Sequence, residues 1–242
     1  MRLEPANTPL AEQASQAIRA GDTTSLQRML EKYPDLATAR IHDTEQDCQR
    51  SLLHIATDWP GHFPQVEKTI RVLVSAGADV NARFVGPHNE TPLHWAASSN
   101  DVAAVDALLD AGADIEADGS VINGGAPLSN AIAFWQWDAA RHLAEGGAVT
   151  SLGDEAAMGM MDRMAVRFAA GDPPHAGHVN YAFWIASAAG QQSSAEFLLG
   201  RGADVNWIPE WDKASPLDVA TKGEHESLVL WLRDQGAQSA DR

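Results

Sequence analysis

The sequence predicts an all-α fold, a solenoid of stacked helix-turn-helix units with short hairpin-like fingers between them, and three observations point there. A turn of small residues recurs after apolar runs: Ala76-Gly77-Ala78-Asp79-Val80-Asn81, Ala111-Gly112-Ala113-Asp114-Ile115, Gly146-Gly147-Ala148-Val149, Arg201-Gly202-Ala203-Asp204-Val205-Asn206 and Gln235-Gly236-Ala237. Its glycines keep a period, 35 residues from Gly77 to Gly112 and from Gly112 to Gly147, and 34 from Gly202 to Gly236, in the range of helical repeat arrays. Between the turns lies a helix-start signal, Thr91-Pro92-Leu93-His94-Trp95-Ala96-Ala97. It is echoed at Ser51-Leu52-Leu53-His54-Ile55-Ala56, Ala126-Pro127-Leu128-Ser129-Asn130-Ala131 and Ser215-Pro216-Leu217-Asp218-Val219-Ala220.

The chemistry of that signal fits a helix start. Thr91 can cap orphan amides, and Pro92 fills the first helical position, where no donor is missed. Ala96 and Ala97 keep the first helix thin, so neighbouring units can approach closely. Val102, Val105, Leu108 and Leu109 give the second helix its apolar face, and Gly112 ends it in a left-handed turn. On these residues the chain resembles the ankyrin-repeat family, in a bacterial-type form, over nearly its whole length. The resemblance implies a structural task for the motif histidines His54 and His94, tying loop backbone to helix.

Read in that register, the chain is one domain over 1–242. Residues 1–45, with Ala17-Ile18-Arg19-Ala20-Gly21-Asp22 and then Leu26, Met29 and Leu30, form an N-terminal capping helix pair without the Thr-Pro start. Repeats follow over 50–82, 89–117 and 125–150. In the first of them Trp59-Pro60-Gly61-His62-Phe63-Pro64-Gln65 lengthens the turn between helices and stiffens it. Residues 151–177 hold a degenerate short repeat around Met158, Met161, Met164 and Phe168, then a loop over 171–178. The finger before it is truncated near Val149 to Leu152. A further repeat spans 178–207 and a C-terminal capping repeat 214–240.

Composition narrows the function. With 45% hydrophobic residues the 242-residue chain can bury a core. Acidic residues outnumber basic ones by 33 to 17, and the formal charge of -16 disfavours nucleic acid and anionic membranes while favouring a basic partner. The single cysteine, Cys48, has no internal disulfide partner. With no secretory pattern in the first residues and no apolar run of about 20, a cytoplasmic protein is expected.

Eight tryptophans are the anomaly. Phe134-Trp135-Gln136-Trp137 and Trp207-Ile208-Pro209-Glu210-Trp211 place large rings where a repeat of this kind carries polar residues, and exposed aromatics concentrate at binding hot spots. The candidate partner- or ligand-binding residues are Arg50, Trp59, His62, Phe63, Asn123, Phe134, Trp135 and Trp211. Trp95, Trp184 and Trp231 are expected inside the helix pairs. The leading reading is a scaffold that binds a protein on a concave, tryptophan-rich face. The alternative closes that groove into a small-molecule site or a cofactor-independent acid/base enzyme of the lyase, isomerase or hydrolase kind, with His88, Glu90, Asp58 and Asp212 moving protons. Against it stands the simpler account of these polar residues as a solvated acidic rim. His175 and His178 lack further ligands, so no metal or cofactor is expected. No phosphate-cradling glycine loop or nucleophile elbow is present.

Overall fold

In a computed structural model, which describes residues 3–170 and 174–240, the chain forms fourteen α-helices and a small sheet among the described residues. They fall into two compact units, one within Met1–Ala148 and one within Val149–Arg242.

The first unit opens with β1 (Leu3–Pro5), α1 (Pro9–Ala20), α2 (Thr23–Lys32), β2 (Arg40–Asp43) and β3 (Cys48–Arg50). Three helix pairs follow: α3 (Leu52–Ala56) with α4 (Val66–Ser75), α5 (Pro92–Ser98) with α6 (Val102–Asp110), and α7 (Pro127–Ala133) with α8 (Trp137–Glu145). Strand β2 pairs parallel with β1 and antiparallel with β3. The Gln49–Val85 bridge then fastens this sheet to the next finger through 2.8 and 2.9 Å hydrogen bonds. First helices stack on first helices, α5 on α7, and second helices on second helices, α4 on α6 and α6 on α8. The thin alanine-rich first helices allow this: Ala56, Ala96, Ala97 and Ala131 are fully buried beside Leu52, Leu53 and Leu93. Gly112 closes α6 at φ +89, a left-handed turn that glycine adopts without steric cost.

The motif histidines clamp one repeat to the next. Ser51 donates its backbone N–H to His54 Nδ1 at 3.3 Å, and Thr91 donates to His94 Nδ1 at 3.1 Å. An amide can only donate, so Nδ1 is the acceptor and Nε2 carries the proton, which goes to the Glu90 carbonyl from His54 (3.1 Å) and to the Gly125 carbonyl from His94 (3.2 Å). Burial pushes the His54 imidazole down to about 3, and burial likewise lowers His94.

The second unit comprises α9 (Leu152–Ala157), α10 (Met161–Ala169), α11 (Ala176–Ala188), α12 (Gln192–Leu199), α13 (Pro216–Lys222) and α14 (Glu226–Asp234). Helix α11 packs on both α9 and α13, and its core gathers Phe183, Met164, Leu198, Leu228 and Leu232. Residues 146–151 and 170–175 are short links, from α8 to α9 and from α10 to α11, whereas 76–91, 111–126 and 200–215 link α4 to α5, α6 to α7 and α12 to α13. The loop expected over 171–178 ends early, because α11 already begins at Ala176; residues 171–173 lie outside the described residues.

The early start of α11 has a structural use. Helix α11 runs 13 residues where α5, α7 and α13 run 7. Its Asn180 Oδ1 accepts the Asp204 N–H at 2.8 Å, as the Oδ1 atoms of the finger residues Asn81 and Asn206 accept the N–H groups of Asp114 and Gln238. An extra stretch of helix therefore does a finger's work.

Candidate functional site

In the first unit the turns that follow the first helices lie side by side. His62 Nε2 meets the Ser99 carbonyl at 3.1 Å and its backbone N–H donates to Asp101 Oδ2 at 2.6 Å. Asn100, in the next turn, donates to Asp138 at 3.3 Å and accepts the Ala139 N–H at 2.9 Å. This row carries Trp59, 81% exposed, at one end and Phe134, 47% exposed, with Trp135 at the other. Trp135 stacks on Trp137 at 6.5 Å and 21°. Its φ of +59 places it in the left-handed region, at the turn where Gly21, Gly159 and Gly190 stand in other pairs. Phe63 and His62 wall an open trough of about 540 Å³ together with Val66, Arg71 and Asp101. Asn123, exposed and at φ +54, turns the tip of the finger ahead of α7.

The polar candidates separate. Asp58 Oδ2 lies 3.4 Å from both Arg19 and Arg50, and Arg50 also reaches Asp43 at 3.6 Å. These partly exposed pairs form a local ion network. Glu90 is 4% exposed and fully engaged. Its Oε1 accepts from Asn130 Nδ2 (2.7 Å) and Val121 N–H (3.1 Å), and its Oε2 accepts from Trp95 Nε1 (3.0 Å). His88 lies against it, Nδ1 at 3.1 Å from Oε2, with its ring stacked on Phe84 at 4.4 Å. Asp212, in the second unit, accepts the N–H groups of Lys213 and Ala214 and shapes its own finger. The structure thus brings His88 and Glu90 together and leaves Asp58 in a different cluster. Proton transfer by Glu90 would need a substrate atom where three donors already sit, so the arrangement ties finger, α5 and α7 together.

The second unit has its own aromatic group. Trp211, 69% exposed, meets Tyr181 at 5.9 Å and Trp207 at 6.1 Å, edge to face in both cases. Tyr181 also covers Gly153: a Cβ there would sit 2.5 Å from Tyr181 Cε1. Burial, and then the charge of Asp154, raises the Tyr181 hydroxyl above its ordinary value. Deeper in, Glu155, 3% exposed, receives Arg167 through Nε at 2.8 Å and Nη2 at 2.9 Å, with Thr150 Oγ1 donating at 2.9 Å. Of the tryptophans expected inside, Trp184 is 4% exposed and donates to the Ala214 carbonyl at 2.9 Å, while Trp95 and Trp231 are half-buried. The sequence marked Trp207 only as part of an aromatic string beside Trp211, and it pointed to no role for Tyr181, Asn130 or Arg167. A glycine at the second position of a helix start, Gly153, was the available signal that a ring covers that spot.

Among the described residues no helix is long and apolar enough to cross a membrane. Residues 14–119 match the family model of ankyrin repeats, in three copies. A 107-residue stretch is 36% identical to the palmitoyltransferase AKR1 of Kluyveromyces lactis, covering 44% of this chain and 13% of that protein's length. The crystal structure of the ankyrin repeat domain of human ASB11 superposes with a TM-score of 0.54 at 20% identity, over 93% of this chain and 98% of that one. Residues 14–119 therefore carry ankyrin repeats, and the chain as a whole shares the ankyrin-repeat fold.

Proposed function

We propose that the protein is an interaction scaffold that holds a protein partner on the face where the first helices of the first unit end, with Trp59, Phe134 and Trp135 as its aromatic contacts. Ankyrin repeats in general serve protein–protein interaction, and stacked repeats supply an extended surface for it. The observation that carries the finer reading is the exposure of large rings along one row of turns, Trp59 at 81% and Phe134 at 47%, with Trp135 beside them. Burial of such rings against a partner is the usual source of hot-spot energy. The net charge of -16 steers basic partners toward the molecule.

The test replaces Trp59, Phe134 and Trp135 with alanine together. Co-purification of the bound protein disappears, while the helical circular-dichroism signal and melting temperature stay near those of the parent. A collapse of the fold would assign the rings to the core instead, and undiminished co-purification would move the contact surface elsewhere.

A further inference from the structure

The three rings of the second unit stand outside its core. That core is built around Phe183, Leu198 and Leu232, with Phe168, Phe197 and Trp231 packed against it, and includes none of Tyr181, Trp207 and Trp211. Their polar atoms are idle as well. The inner tryptophans Trp184 and Trp95 each donate an indole N–H, but among the described residues the indoles of Trp207 and Trp211 and the Tyr181 hydroxyl have no hydrogen-bond partner. Elsewhere in the unit the protein satisfies ring faces with its own cation: the Arg201 guanidinium lies 3.3 Å from the Phe197 centroid and 5.1 Å from that of Phe168. No described cation of the chain lies over Tyr181, Trp207 or Trp211. The surroundings are acidic, since Glu210 and Asp212 flank Trp211 and the charge of Asp154 reaches Tyr181.

We propose that Tyr181, Trp207 and Trp211 form a seat for an arginine side chain of the protein partner, a proposal that rests on the scaffold reading and adds the chemistry of what is bound. Rings set at 63° and 69° to the central indole turn their electron-rich faces in different directions around one corner. A flat, weakly hydrated guanidinium can stack on an indole face there and keep its edge donors for the neighbouring carboxylates. The idle indole N–H groups are then available to backbone carbonyls of the segment that carries the arginine. A compact, strongly hydrated lysine ammonium makes poorer use of the same corner.

The experiment uses the full chain labelled at its indole nitrogens and two probes, acetyl-Gly-Arg-Gly-amide and the same peptide with citrulline, the neutral isostere of arginine. Trp207→Phe and Trp211→Phe variants assign the two resonances. The arginine peptide shifts both and binds about tenfold more tightly than the citrulline peptide, the scale of a partly desolvated cation–π contact. Trp211→Ala removes that preference without changing the melting temperature. Equal binding of the two peptides, or no shift of either resonance, overturns the seat. The Trp59→Ala/Phe134→Ala/Trp135→Ala protein keeps the arginine response. Should that variant lose its partner yet still bind arginine, both readings stand; should the parent bind a partner but not arginine, only the seat fails.

Discussion

In the first unit the third residue of α3 and of α5 is a histidine; in the second unit the third residue of α9 and of α13 is an aspartate. Both accept the N–H of the capping residue, His54 and His94 through Nδ1, Asp154 from Ser151 at 2.7 Å and Asp218 from Ser215 at 2.8 Å. Only the histidines have a second nitrogen that reaches the following finger. A carboxylate at that slot finishes its own helix, and Asp218 additionally takes the Ala240 N–H at 2.9 Å. The second unit therefore needs other ties between its helix pairs. Between pairs it uses the Tyr181–Gly153 contact and the bonds from Trp184 to the Ala214 carbonyl and from His225 to the Ala188 carbonyl, with the Asn180–Asp204 bond; the Arg167–Glu155 ion pair works within the α9–α10 pair. The comparison shows that the repeat is defined by the ties it must make, and that several chemistries can make them.

The largest expected effect breaks the second unit's buried ion pair, which joins α9 to α10. Arg167→Ala leaves the buried Glu155 carboxylate without its cation and lowers stability by about 3 kcal/mol, toward the smaller end for buried pairs because Arg167 is 39% exposed. Urea titration reads it. A Glu155→Gln/Arg167→Met double variant recovers most of the loss, since the cost lies in an unpaired charge. A double variant as unstable as the single would show that the ion pair itself holds α9 to α10.

The clamps also separate the units by acid response. The His54 imidazole titrates near 3 when folded and near 6.5 when unfolded, so the unfolded chain takes the proton first as pH falls. The stability its neutral form contributes is complete above about 6.5 and is lost progressively toward about 3. Asp154 has the opposite sign. Burial raises its carboxyl, so the folded state protonates first and stability is lost as pH rises through the folded value. Asp218, in spite of burial, is held below the ordinary range by bonds from Ser239, Ala240 and Ser215, which offsets Asp154 in direction. The first unit should accordingly melt earlier at about pH 4.5 than at neutrality, with the second changing less. His54→Asn, which keeps the Ser51 acceptor and loses the reach to Glu90, costs about 2 kcal/mol at neutral pH and flattens the acid response. An unchanged pH profile would mean that other groups set it.

A smaller effect is expected at Gly153. Replacing a helical glycine with alanine normally gains about 1 kcal/mol, but the new Cβ would lie 2.5 Å from the Tyr181 ring. Overpacking of this kind costs about 1–3 kcal/mol, so Gly153→Ala should lose about 1 kcal/mol net and shift Tyr181. Tyrosine fluorescence and thermal melting would both report it, and a gain in stability would show that the ring swings away freely.

The regular parts of this fold were legible in the sequence because they depend on local rules. The caps Ser51, Thr91 and Ser215, the prolines at first helical positions and the left-handed glycines sit at fixed offsets. The N-terminal turns of α11 were not legible, because Ala176-Gly177-His178 carries loop composition and becomes helical only where Asn180 must meet Asp204. Glu90 was read as a groove carboxylate, since nothing in its neighbourhood announces that Asn130 and Val121 arrive from the next finger and α7. Arg167 and Glu155 lie on successive helices with unremarkable spacing, and their pairing follows from a capping box that turns Glu155 inward.

The smallest effect separates scaffold from surface at Trp135. The equivalent left-handed turn is held by Gly159, Gly190 and Glu224 in the second unit, and by Asn100 between α5 and α6. Trp135→Gly relieves about 1–2 kcal/mol of backbone strain and adds about 0.5–1 kcal/mol of unfolded-chain entropy. It also removes the stacking on Trp137, worth about 0.5–1.5 kcal/mol, so the net change lies within about 1 kcal/mol of zero. A first unit whose stability holds while its partner is lost would show a ring kept for contact and not for the fold. A clear loss of stability would make Trp135 a structural element of the α7–α8 turn, and the two units would then differ only in how that turn is filled.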